Sequence, residues 1–170
     1  LKYLIDTSEK MHNYEYAILI MKELINVSDK NDELLLHLAH LYFSSKDFNN
    51  VIKILEPNYS KGDYSLEILR MLLVSYSMIS DFEKEIMIGN RLMNEYPNLI
   101  IGYEALAFSY IQNHEHTKAI DILIKGIQIF PKEVIFPFTL GSLLSSNGEY
   151  KRAEDYLMDV LTIDPDYYSA

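Results

Sequence analysis

The sequence predicts an all-α protein, a solenoid of about five antiparallel helix–turn–helix repeats. Similar residues recur every 34 positions along the chain, as in the series Tyr14, Phe48, Phe82, His116 and Tyr150. Within each repeat the apolar residues follow helical spacing, and no stretch alternates apolar with polar residues for long enough to predict a strand. Since a single helical hairpin cannot cover its own apolar face, neighbouring repeats are expected to stack.

The period divides the 170 residues into five predicted repeats that form one domain. A second series, Leu4, Leu38, Leu72, Leu106 and Leu140, keeps the same spacing without an insertion. The predicted repeats span residues 1–31, 32–65, 66–99, 100–133 and 134–167.

The first two repeats each contain a predicted helix pair. In the first, Leu1–Met11 is expected to form a helix, with Tyr14–Val27 as its partner. In the second, Pro57 falls inside the second helix, and we expect this helix to end near residues 55–56 because a proline interrupts helical hydrogen bonding. The segment 57–63 is then irregular, and it is either a surface loop or a site of a hinge or of a change in superhelical pitch.

The third repeat departs from the pattern of the others. Glu85 stands where other repeats have a small residue, and Gly89 stands where an aromatic residue is expected. We therefore expect looser helix packing around these two positions.

The fifth repeat shows the helix pair most clearly. Its first helix places Pro137 in the first turn, where a missing N–H costs little. Gly148 supplies the turn, because glycine adopts the left-handed conformation without steric cost. Ala153 lets the two helices approach each other, and Pro165 ends the second helix.

These residues resemble the tetratricopeptide-repeat family, whose 34-residue helix–turn–helix unit has the pattern W-x2-L-G-x2-Y…A-x3-F…P. The fifth repeat carries this pattern at Leu140, Gly141, Leu144, Ala153, Leu157 and Pro165. The fourth repeat carries it at Tyr103, Leu106, Ala107, Tyr110, Ala119, Leu123 and Pro131. The resemblance implies a right-handed superhelix whose first helices line a concave groove that binds a peptide or protein segment. It also implies a non-catalytic scaffold.

The repeat register places one set of side chains in this implied groove. The set is largely apolar with scattered charges, and contiguous exposed apolar surface usually marks a partner site. Packing of these side chains inside the superhelix, without a partner, is the alternative interpretation. The predicted groove residues are Leu36, His37, His40, Phe43, Arg70, Met71, Val74, Met78, Ile101, Glu104, Phe108, Gln112, Ile135, Phe138 and Ser142.

The sequence contains no pattern typical of catalysis or of a cofactor site. It has no cysteine, and it lacks the P-loop, G-x-G-x-x-G, H-E-x-x-H and G-x-S-x-G motifs. His37 and His40 lie three residues apart on one predicted helix face, yet only Glu33 offers a third metal ligand. Contacts from these histidines to a peptide are therefore favoured over a metal site. We predict no enzyme activity, no cofactor and no metal.

The net charge of −10 argues against nucleic acid as the partner. Helical repeats of similar length can read RNA, but such a groove needs Lys or Arg side chains, and the predicted groove has only Arg70. An RNA-binding repeat is the disfavoured alternative. No apolar run approaches the roughly 18 residues that a membrane-spanning helix requires.

The ends of the sequence indicate a piece of a longer repeat protein. Asp164–Ala170 reads as the entry into another repeat, and no polar capping helix follows it. Such an uncapped end would support self-association. The alternative function is a targeting or regulatory region of a larger enzyme, or a bacterial envelope or pilus assembly factor. The compartment stays open between the cytoplasm and the bacterial periplasm, the latter with a lipid anchor on the N-terminal side.

Overall fold

A computed structural model describes residues 2–28, 32–59 and 65–167 of the chain. These residues form ten α-helices, and this part of the chain contains no β-strand. No helix in these ranges is both long and apolar enough to cross a membrane. The helices are α1 (Lys2–Lys10), α2 (Tyr14–Val27), α3 (Asp32–Ser44), α4 (Phe48–Tyr59), α5 (Leu66–Met78), α6 (Phe82–Glu95), α7 (Ile100–Gln112), α8 (His116–Ile129), α9 (Ile135–Ser146) and α10 (Tyr150–Ile163).

The even-numbered helices begin at a constant spacing. They start at residues 14, 48, 82, 116 and 150, so that each start lies 34 residues after the one before. The predicted all-α fold of helix pairs is therefore confirmed for the described residues. The grouping of these pairs into five repeats of one domain stays a prediction.

A left-handed residue follows the first helix of every pair. In the last pair, the N–H of Gly148 donates to the carbonyl of Ser145, and the N–H of Glu149 donates to the carbonyl of Leu144. These two bonds form a Schellman motif, which satisfies carbonyl groups at the helix end. The residues with positive φ are His12 (56°), Lys46 (62°), Ser80 (60°), His114 (58°) and Gly148 (81°). Only the last is a glycine, so the other four turns lacked the expected sequence signal.

The prediction that Pro57 ends its helix is wrong. Helix α4 continues through Pro57 to Tyr59. Pro57 lies in the last turn of α4, where its missing N–H removes only the bond to the carbonyl of Lys53 and no long helix has to continue beyond it. The rest of the predicted irregular segment, residues 60–63, lies outside the described residues.

The chain divides into two compact units. The first, Leu1–Asp81, contains α1 to α5, in which α1 packs against α2, α2 against α3, α3 against α4 and α4 against α5. Ser75 is fully buried in this unit, and its hydroxyl donates to the carbonyl of Met71 at 2.7 Å. The apolar core of the first unit includes Ile5, Ala17, Met21, Leu38, Ala39, Leu41, Val51, Leu55, Leu69 and Leu72.

The second unit, Phe82–Ala170, contains α6 to α10 and has its own core. An aromatic cluster joins α7, the end of α8 and α9. The rings of Phe130 and Phe136 stack with centroids 5.7 Å apart, and Tyr103 meets them edge-on at 5.4 and 6.5 Å. The small residues Ala119 and Ala153 are buried, as their positions in the repeat predicted.

The looser packing predicted around Gly89 is not found where α6 meets α7. Gly89 and Gly102 are both buried. A Cβ atom added to Gly89 would lie 2.9 Å from Cγ of Leu106, and one added to Gly102 would lie 3.1 Å from the backbone nitrogen of Met93. The missing side chains therefore let these two helices approach closely.

Candidate functional site

Helices α7 and α9 of the second unit are apolar around most of their circumference. Across both helices the only charged side chain is Glu104. A helix that is apolar on all sides is normally buried on all sides. Here, however, Phe108 on α7 is 44% exposed and Ile135 on α9 is 36% exposed. The two helices thus present apolar surface that the second unit itself does not cover.

These exposed side chains border an open cleft of about 220 Å³, which we call the α7–α9 cleft. We define the rim of this cleft as its three exposed lining residues, which are Glu104, Phe108 and Ile135. The remaining lining residues are Ala107, Ile111, Leu123, Phe136 and Thr139. Most of the cleft surface is therefore apolar.

Neighbouring aromatic rings hold the cleft in shape. Phe136 is 1% exposed, and it is part of the aromatic cluster with Tyr103 and Phe130. Phe108 meets the ring of Phe82 edge-on, with centroids 6.0 Å apart. Such aromatic pairs stabilise their geometry beyond the burial of area alone. The cleft is therefore largely preformed.

Glu104 is the polar feature of the cleft. Loss of water around its carboxyl raises the pKa of Glu104 above its ordinary value of 4.5, and the negative charge of Glu133 raises it further. None of the eight lining residues is Lys, Arg or His, so no lining side chain neutralises this carboxylate.

A second, smaller cleft is lined in part by the segment that connects α8 with α9. Its volume is about 190 Å³, and apolar residues from this segment and from α8, α9 and α10 form much of its wall. Its polar lining residues are Glu133, Asp159 and Thr162. Glu133 thus lines the second cleft and also acts electrostatically on Glu104 in the first.

In the first unit, the predicted groove histidines pair with carboxylates of the chain itself. Nε2 of His37 donates to Oε1 of Glu9 at 2.8 Å, which connects α3 with α1. Nε2 of His40 lies 2.9 Å from Oε1 of Glu67, which connects α3 with α5. Within the described residues, no three His, Asp or Glu side chains lie close enough together to hold a metal ion.

The other predicted groove residues of the first unit differ in accessibility. Met71 is only 5% exposed, so its side chain belongs to the core and is not available to a partner. The assignment of Met71 to an accessible groove is therefore corrected. Met78 is 59% exposed and Arg70 is also exposed. The half-buried ones are Leu36, Phe43 and Val74.

In the second unit, the α7–α9 cleft brings together three of the seven predicted groove residues, the three at its rim. Gln112 and Ser142 are exposed but do not line the cleft, and Ile101 is half-buried outside it. Phe138 also lies outside the cleft, and its ring meets Tyr167 edge-on at 5.2 Å. The predicted groove residues of the second unit therefore divide into three that line the cleft and four that lie outside it.

Four apolar lining residues were absent from the predicted groove. Ala107 and Leu123 occupy positions of the repeat pattern that pack helices together, so the register marked them as core, and Phe136 is buried in the structure. Ile111 follows Phe108 on α7 by almost one turn, and that spacing was the one signal that could have included it. The cleft is thus lined partly by residues that also build the core.

His116 is another residue whose role differs from simple packing. It occupies the aromatic position of the repeat, but its Nδ1 lies 3.0 Å from Oδ1 of Asn147 at the end of α9. This contact connects the start of α8 with the end of α9.

Comparisons with known proteins agree with this architecture. Residues 138–167 match the sequence model of the tetratricopeptide repeat. A crystal structure of MamA superposes with a TM-score of 0.80 at 23% identity, covering 98% of this chain and 98% of that chain. A MamA structure from Desulfovibrio magneticus RS-1 has a TM-score of 0.80 at 13% identity, covering 98% and 94%.

A third similar structure carries a description of its binding function. YrrB, described as a TPR protein with an unusual peptide-binding site, superposes with a TM-score of 0.77 at 10% identity, covering 96% of this chain and 84% of that chain. No curated protein matches the chain in sequence. At these identities the similarity to solved structures establishes the fold alone.

Proposed function

We propose that this chain, which has the fold of tetratricopeptide-repeat proteins, is a non-catalytic scaffold that binds a peptide or protein segment in the α7–α9 cleft. The observation that carries the proposal is the exposure of Phe108 and Ile135 at the rim of a preformed apolar cleft. Exposed apolar surface bordered by polar groups is typical of partner sites on folded proteins. The peptide-binding site of the similar YrrB structure adds support from a protein of the same fold.

The size of the cleft favours a side chain of a partner over a free small molecule. Its volume of about 220 Å³ lies below the roughly 300 Å³ at which pockets for drug-sized ligands begin. A large aromatic or aliphatic side chain can instead enter the cleft while the rest of the partner lies across its rim. Buried anchor residues of this kind provide most of the binding energy in many interfaces.

The test compares two substitutions that place a charge on an exposed apolar position. Peptides would first be selected on the natural protein from a phage-displayed random library. Their affinities would then be measured by fluorescence polarisation with Phe108→Asp and with the matched control Met158→Asp, whose side chain is 57% exposed on α10. We expect Phe108→Asp to weaken binding at least tenfold, about 1.4 kcal/mol, and Met158→Asp to leave it unchanged.

Circular dichroism of both variants separates binding from folding. We expect the helical signal of Phe108→Asp to stay near that of the natural protein, since the ring is already 44% exposed. Unfolding of Phe108→Asp would show that this ring supports the core. Equal peptide affinities of the folded variant and the natural protein would rule out the α7–α9 cleft as the binding site.

A further inference from the structure

We propose that the preferred partner segment of the α7–α9 cleft carries a large apolar side chain with a Lys or Arg close beside it. This inference rests on the proposed function and specifies its ligand. The apolar side chain would enter the cleft, and the cationic group would lie at the rim beside the carboxylate of Glu104.

The apolar half of this preference follows from the cleft walls. The buried Phe136 lines the cleft together with the exposed Phe108 and Ile135, and the volume of about 220 Å³ suits one large side chain. Leu, Met and Phe side chains gain the most from leaving water for such a surface. A small or polar side chain would leave the cleft walls hydrated.

The basic half follows from the isolation of Glu104. It is the only charged residue on α7 and α9, and the cleft lining contains no Lys, Arg or His. Its carboxylate has lost part of its hydration and lies in the field of a second carboxylate, that of Glu133. A partner cation at the rim would replace lost hydration with a charge-assisted hydrogen bond and reduce the repulsion between the two acids.

The negative charge continues beyond the rim. Glu133, whose charge acts on Glu104, lines the second cleft together with Asp159. The whole chain carries a net charge of −10. A segment with further basic residues would therefore be attracted at longer range, and this raises its association rate at low salt.

Other partner chemistries fit less well. An acidic or phosphorylated segment would place a third negative charge near Glu104 and Glu133. A second copy of this chain would bring another net charge of −10 toward the same surface. A purely apolar segment would cover the carboxylate of Glu104 without a partner for its charge, which costs free energy.

The experiment selects peptides from a phage-displayed random library on the natural protein and sequences the enriched clones. We expect a Lys or Arg within two positions of a Leu, Met, Phe or other large apolar residue. The affinity of one selected peptide is then measured with Glu104→Gln, with the matched control Glu154→Gln on α10, and with Phe108→Ser, which removes the ring without adding a charge. Glu154 is exposed and does not line the cleft.

The expected affinities form a double-mutant cycle. Glu104→Gln should weaken binding about threefold to fivefold, which is the effect of a partly exposed ion pair, and Glu154→Gln should have no effect. A peptide whose Lys or Arg is changed to Gln should lose the same factor with the natural protein and lose nothing more with Glu104→Gln. The loss of affinity caused by Glu104→Gln should become smaller as salt is added, because salt screens the attraction between Glu104 and the cation of the peptide.

The outcomes distinguish this inference from the proposed function. Peptides that depend on Phe108 but show no enrichment of Lys or Arg, or no response to Glu104→Gln, would refute the basic preference and leave the binding site in place. A library that gives no specific peptide, or peptides that bind Phe108→Ser as well as the natural protein, would refute both.

Discussion

Five left-handed residues shape the turns between the paired helices, and four of them carry a side chain that this conformation disfavours. In L-residues the Cβ atom approaches the following carbonyl oxygen when φ is positive, at a cost of roughly 1–2 kcal/mol. The Schellman hydrogen bonds hold Lys46 at φ 62° and Gly148 at φ 81°. The cost is therefore present at Lys46 and absent at Gly148.

We predict opposite effects of exchanging the residue type at these two turns. Lys46→Gly should stabilise the protein by about 1 kcal/mol, because it removes the strain of positive φ, while Gly148→Ala should destabilise it by a similar amount. Lys46 is exposed, and space around Gly148 is open, so neither change alters packing. Urea denaturation of both variants measures the two effects. A loss of stability in Lys46→Gly would mean that unfolded-chain entropy outweighs the strain.

A second prediction at the scale of residues concerns Glu104 and the pH dependence of stability. Its pKa in the folded protein is raised above 4.5, so the folded chain binds this proton more tightly than the unfolded chain does. The contribution of the protonated Glu104 to the free energy of unfolding is complete below pH 4.5, and it is lost as the pH rises through the raised pKa of the folded state. At pH 7 the ionised carboxylate of Glu104 therefore slightly destabilises the folded state.

Glu104→Gln should accordingly raise the free energy of unfolding at pH 7, by a few tenths of a kcal/mol for this exposed position, and should have no effect at pH 4. Urea titrations at the two pH values measure the difference. Glu154→Gln controls for the general loss of one negative charge. An equal effect of Glu104→Gln at both pH values would show that the stability change does not come from the raised pKa of Glu104.

At the scale of helices, glycines decide how closely some neighbours pack. At the crossing of α8 and α9, a Cβ atom added to Gly126 would lie 2.4 Å from Cδ1 of Phe136. Phe136 is fixed by its contacts with Phe130 and Tyr103, so its ring has little room to move. The close approach of α8 to α9 therefore requires glycine at position 126, although glycine is a poor helix former.

We predict that Gly126→Ala destabilises the protein by about 1–3 kcal/mol through overpacking, despite the ~1 kcal/mol by which alanine favours an isolated helix. Urea denaturation provides the measurement. Lys125→Ala, an exposed position one residue earlier on α8, serves as the control and should change stability little. A stability gain in Gly126→Ala would mean that the ring of Phe136 yields easily, and the cleft would then be less rigid than its contacts indicate.

At the scale of the whole molecule, the net charge of −10 is the property most relevant to partner class. Nucleic-acid binding depends mainly on neutralising phosphates with Lys and Arg. The 25 acidic residues outnumber the 15 basic ones, and α7 and α9 contribute no basic residue to the cleft. We therefore expect a polyanion to be a poor partner.

We predict no retardation of single-stranded RNA in a gel-shift experiment at low salt with about 10 μM protein, a concentration at which ordinary non-specific binders form complexes. A basic single-strand-binding protein in parallel lanes verifies the conditions. A clear shift would overturn the preference for a peptide partner.

The sequence by itself determined that this protein is built of helix pairs and that the pairs recur every 34 residues. Helix formation depends on residues three or four positions apart, so apolar spacing predicts the helices. The 34-residue recurrence is visible directly in the sequence. The prediction failed at Pro57, because the rule that proline ends a helix does not hold in the last turn, where α4 continues only to Tyr59. Even the left-handed turns kept the period although four of the five lacked glycine.

Only the tertiary structure decided which side chains are accessible and which share a site. Met71 and Phe108 were both predicted to lie in the groove, yet Met71 is buried and Phe108 borders a cleft. The raised pKa of Glu104 also depends on Glu133, which lies 29 positions later in the sequence (133 against 104). The physical reason is that burial and electrostatic fields depend on neighbours brought together by helix packing, whereas helix formation depends on neighbours along the chain.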